Sequence, residues 1–78
     1  MAIQLPGAAS RRERRARFWD ILAENSANLV AVYGRMLDGS VGPVVGEHRA
    51  RLERRRAECV SAEANAKQHA MRIRSGLE

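Results

Sequence analysis

Gly39-Ser40-Val41-Gly42-Pro43 is the stretch whose reading decides the fold, because it is the only internal loop signal in a chain of 78 residues. Two glycines and a proline within five positions interrupt any regular element, and Pro43 suits the first position of a new helix. Gly39, following Asp38, is placed to close the preceding helix in the left-handed conformation that side chains with a Cβ avoid. The chain therefore turns back on itself once. The expectation is an all-α fold, an antiparallel two-helix hairpin with helix 10–38, loop 39–42 and helix 43–75.

Upstream of the loop, Ser10-Arg11-Arg12-Glu13 has the spacing of a capping box, in which serine and glutamate satisfy each other's free backbone amides. From there Phe18, Leu22, Asn25, Leu29, Val32 and Met36 recur at intervals of four and three, with Trp19, Ile21, Val30, Tyr33 and Leu37 widening the same face. Gly34 inside this helix costs about 1 kcal/mol relative to alanine and would permit a close helix crossing. Residues 1–9, broken by Pro6-Gly7, are expected to form a short disordered arm with Ile3 and Leu5 as its sizeable apolar groups.

Downstream, the three-four alternation selects Val45, His48, Leu52, Arg55, Cys59, Ala62, Ala66, His69 and Ile73, a seam of few large apolar groups. Arg55 on that seam is expected to snorkel outward or to pair with an acid of the first helix such as Glu24. Glu47 with Arg51, Arg54 with Glu58 and Glu63 with Lys67 stand four apart as ion pairs of a solvated face. A wide apolar face opposite a thin one leaves surface uncovered, and such patches on small domains mark interfaces. Phe18, Trp19, Leu22, Val30, Tyr33 and Leu37 are the candidate protein-interface residues, with Trp19, Tyr33 and Leu37 expected to be exposed until a second copy or a larger assembly covers them.

The net charge is +5, and of 14 basic residues only Lys67 is not arginine. Arg11, Arg12, Arg14, Arg15 and Arg17 crowd the start of the first helix, whose N-terminus already carries partial positive charge. Cations there cost stability locally, so the cluster points to an anionic partner: nucleic-acid phosphate, an acidic protein surface or an anionic membrane face. Glu13-Arg14-Arg15-Ala16-Arg17 is similar to part of the Glu-Arg-x-Arg-Arg signature of the basic helix-loop-helix family. That resemblance would imply a base-reading Glu13 with Arg14 and Arg17 on phosphates or bases. It covers five residues, and the chain departs from the family's plan in having no basic residue in the loop and few large apolar positions in the second helix.

The remaining chemistry is thin. Cys59 is the only cysteine, so it forms no intramolecular disulfide and makes no thiolate cage. His48 and His69 lie about 31 Å apart along a straight helix and cannot share an ion. Asp20 and Glu24 share a helix face without an implied cleft, and no nucleophile elbow or phosphate-cradling loop is present. No enzyme, cofactor, metal or small-molecule substrate is expected, and no apolar run approaches the roughly 20 residues of a membrane span. The N-terminus shows no secretory signal, which places the protein in the cytoplasm or in a particle assembled there. The sequence thus predicts a non-enzymatic helical interaction or assembly module, a small structural or accessory subunit such as a virion component or a phage-encoded inhibitor. A basic nucleic-acid-binding protein is the alternative.

Overall fold

A computed structural model describes residues 8–77, and within them the chain is two antiparallel helices, α1 (Ala8–Leu37) and α2 (Gly46–Arg74). The expectations for residues 1–7 and for the side chain of Ser10 lie outside the described residues. Ala8 and Ala9, assigned above to the arm, belong to α1.

The turn is built largely as its residues dictate. Gly39 has φ of 84°, in the left-handed region, and its amide reaches the Met36 carbonyl at 3.4 Å. Asp38 Oδ1 accepts the Ser40 amide at 2.8 Å, while Ser40 Oγ donates to the Arg35 carbonyl at 2.9 Å. The α1 C-terminus is closed from across the turn as well, since Arg49 Nη1 donates to the Leu37 carbonyl at 3.0 Å. The connection is longer than the expected 39–42. Pro43 does not open α2; the helix cap is Val45, in extended backbone at φ −139° and ψ 167°, a conformation that β-branched residues favour. Gly46, at φ of 63°, then swings the chain into the helix.

The phase of α1 differs from the expected one. Ala16 and Ala23 are buried, and Trp19, Ser26, Val30, Tyr33 and Leu37 are half-buried. These seven recur at alternating intervals of three and four and make the seam toward α2. Across from them, Leu52, Ala66, Ala70 and Ile73 are buried and Cys59, Glu63 and His69 half-buried. The α2 phase agrees with the expected seam at Leu52, Cys59, Ala66, His69 and Ile73, whereas Val45, His48, Arg55 and Ala62 are exposed. Alanine at facing positions takes little room and favours close approach of two helices. Trp19, Tyr33 and Leu37, expected to stand exposed, are half-buried. Trp19 packs against Ala16, Ala70 and Ile73.

The result is long and thin. The radius of gyration is 17.8 Å, against about 11.5 Å for a compact domain of this length. Ile73 is the only large side chain among the described residues that is fully shielded from solvent.

Candidate interaction surface

A helix with seven seam positions has two thirds of its circumference left over, and on α1 that remainder is not uniformly polar. Phe18 is 57% exposed, Ile21 54%, Leu22 37%, Leu29 45% and Val32 38%. With Asn25 and half-buried Met36 they form a second stripe, at 18, 22, 25, 29, 32 and 36 with Ile21 alongside. At 100° per residue this stripe lies roughly a third of a turn from the inner seam. α1 thus carries two heptad-like seams. α2 closes one of them, and the other faces solvent.

The six residues expected at a protein interface divide between the two. Phe18 and Leu22 belong to the outward stripe, while Trp19, Val30, Tyr33 and Leu37 have the phase of the inner seam. The outward residues Ile21, Leu29 and Val32 were legible in the same periodic series but were read there as part of one broad face.

Trp19 joins the two surfaces. Its ring stacks on His69 of α2 at a centroid distance of 4.4 Å with 17° between planes, and Phe18 stands nearly perpendicular to it, at 82° with centroids 5.5 Å apart. The far end of the hairpin is fixed by charge. Arg74 Nη2 lies 2.7 Å from Glu13 Oε2 and 2.7 Å from Asp20 Oδ2, with Nε and Nη1 adding bonds to the same two carboxylates. One guanidinium fork therefore joins two turns of α1 to the last residue of α2. Hydrogen bonds from Arg74 hold the Glu13 and Asp20 carboxyls below their ordinary ranges, and the two acids raise Arg74 in turn. The placement of Arg74 near its own helix C-terminus concealed this role, because its partners are 61 and 54 residues away in sequence.

Arg11, Arg12, Arg14, Arg15 and Arg17 are all exposed along the first turns of α1. Glu13, in their midst, is turned to Arg74. On α2 the charges satisfy one another locally: Arg49 with Glu53 at 3.2 Å, Arg55 with Glu58 at 3.6 Å and Lys67 with Glu63 at 2.8 Å. Arg55 thus pairs within its own helix rather than with Glu24.

A cleft of about 390 Å³ lies beside the turn, lined by Gly34, Leu37, Asp38, Arg49, Glu53 and Arg56. Its charged groups already meet protein, Arg49 through Glu53 and the Leu37 carbonyl, and Asp38 through Ser40. Gly34 is not needed for a close crossing, because an added Cβ would meet only the flexible Arg56 side chain, at 3.6 Å. Among the described residues no three His, Cys, Asp or Glu side chains gather where they could hold a metal ion, and no helix is long and apolar enough to cross a membrane. Compared with protein-family models, curated proteins and solved structures, the chain matches none.

Proposed function

We propose that this chain is a helical interaction module, a small structural or accessory subunit that joins other protein through the outward stripe of α1. The observation that carries the reading is the exposure of Phe18, Ile21, Leu22, Leu29 and Val32 at the spacing of a helix-packing seam. Scattered apolar residues on a surface need no explanation, but exposed apolar residues kept in one helical phase from Phe18 to Val32, with Asn25 the polar position of the series, make a patterned surface. The hairpin also buries very little by itself, so added burial along α1 would contribute stability that its own core lacks.

A photoreactive benzoylphenylalanine at position 18 or 29, irradiated in the native cells, tests this directly. Crosslinks from both positions to protein, and none from a control probe at Arg54 on the charged face of α2, are the expected result. Irradiation that captures no protein from either position refutes the reading.

The exposed cluster Arg11, Arg12, Arg14, Arg15 and Arg17 supports a second reading, a nucleic-acid binder that contacts phosphates. Its signature would be affinity for mixed-sequence duplex that falls steeply with salt and is lost when Arg14 and Arg17 are replaced. Photoprobes capturing nucleic acid in place of protein would favour it.

A further inference from the structure

The reading of α1 as a docking surface leaves open what docks. We infer that the occupant is a second copy of this chain, with the two α1 helices packed antiparallel about a two-fold axis at the level of residue 27.

The inference rests on the docking reading and on how the stripe is arranged about its own middle. In the register that pairs Phe18 with Met36 of the second copy, Leu22 meets Val32 and Asn25 meets Leu29, so each of the six stripe positions finds a counterpart. The chemistry is symmetric as well as the spacing. Phe18, Ile21 and Leu22 form one apolar end and Leu29, Val32 and Met36 the other, while the polar Asn25 and Asn28 lie between them. Antiparallel pairing sets Phe18 and Leu22 on the apolar Met36 and Val32, leaves Asn25 and Leu29 as a mixed pair on each side of the axis, and places Asn28 of both copies on the same flank near it. An isologous contact must be self-complementary in this sense.

Charge selects the direction. A parallel pair would lay Arg11, Arg14 and Arg17 against the same arginines of the other copy. In the antiparallel pair those arginines are carried apart to the opposite end of the other α1, where the helix dipole is negative and Asp38 in the turn offsets Arg35. The hydrogen bonds from Ser40 that keep the Asp38 carboxyl below its ordinary range favour its charged form there. The two flanks of the stripe agree with this direction too. Ile21 comes beside the aliphatic stem of the other copy's Arg35, and Trp19 comes beside its Tyr33 on the side facing α2.

Cysteine crosslinking in a Cys59→Ser background, together with sedimentation of the unmodified chain over a micromolar concentration series, tests the proposal. The expected results are a reversible dimer and disulfide formation by Asn28→Cys with itself. The paired substitution Leu22→Cys with Val32→Cys should also crosslink, whereas Leu22→Cys alone should do so at least about tenfold more slowly, because the antiparallel register carries the two copies of residue 22 roughly 15 Å apart along the axis. Leu29→Glu should abolish the dimer while circular dichroism shows the helices retained. Efficient self-crosslinking of Leu22→Cys alone would overturn the antiparallel register, and a dimer indifferent to Leu29→Glu would overturn the α1 contact. A chain that stays monomeric while a photoprobe at position 29 captures a different protein overturns the second copy and leaves the docking reading standing. A monomer whose probe captures no protein removes both.

Discussion

Replacing Ile73 by alanine separates the two faces of α1 energetically, because Ile73 closes the inner seam. Its side chain is 1% exposed and belongs to one cluster with Ala16, Ala70 and Trp19. Truncation removes three buried carbons and leaves a hole that alanine neighbours cannot fill by rotating, so the cost should fall at about 2–4 kcal/mol. Global stability for a chain of this length is roughly 4–12 kcal/mol at the usual yield per residue, so Ile73→Ala should forfeit a large part of it. Leu29→Ala is the comparison. Leu29 is 45% exposed in the single hairpin, and its loss should cost less than about 1 kcal/mol at protein concentrations low enough to keep the chain monomeric. Urea titrations followed by circular dichroism, analysed with a common slope, provide both values. If Leu29→Ala proves as costly as Ile73→Ala in the monomer, α1 packs on α2 through the stripe of large residues, and the reasoning fails.

Two further outcomes follow from the ends of the hairpin. Gly34→Ala should stabilise the monomer by about 0.5–1 kcal/mol, since Gly34 is a helix-interior residue without a positive φ and the new methyl has room beside Arg56; a lower melting temperature would show that the added methyl is not accommodated. Glu13 and Asp20 have carboxyls lowered from ordinary values of 4.5 and 3.8 by Arg74, so their contribution is present above those values and is lost as the pH falls through the lowered ones. The melting temperature of Arg74→Ala should accordingly lie below that of the parent at neutral pH, with the gap narrowing under strongly acidic conditions; a gap unchanged by pH would show that the ion pairs do not fasten the helices.

The hairpin itself was legible from five residues, because glycine and proline punctuate a chain by backbone geometry that needs no tertiary context. The phase of α2 was legible too, through Leu52, Cys59, Ala66 and Ile73. The phase of α1 was not. A periodic reading weighs large apolar side chains, and on this helix they are divided between the outward stripe (Phe18, Leu22, Leu29, Val32) and the contact (Trp19, Val30, Tyr33, Leu37), while the residues buried at the contact are Ala16 and Ala23. Alanine carries little hydrophobic signal, yet it suits a close seam, so the two α1 residues that α2 buries most deeply are ones that pattern analysis counts least. Reading Phe18 and Trp19 as one face concealed that they begin two seams. The Arg74 clamp was hidden for another reason: nothing local to residue 74 indicates acids that only the turn brings near. The start of α2 was placed three residues early because Pro43 is compatible with a helix start, while the extended preference of Val44-Val45 is expressed only once the turn has set the direction of the chain.

The outward stripe of α1 as the surface on which two copies of this chain meet is tested most directly by following backbone amide and methyl resonances as the concentration of the chain is raised. The account predicts shifts that move together at Phe18, Ile21, Leu22, Asn25, Asn28, Leu29, Val32 and Met36, while Leu52, Ala66 and Ile73 hold their positions. Spectra indifferent to concentration, or changes gathered on the charged face of α2, would contradict it.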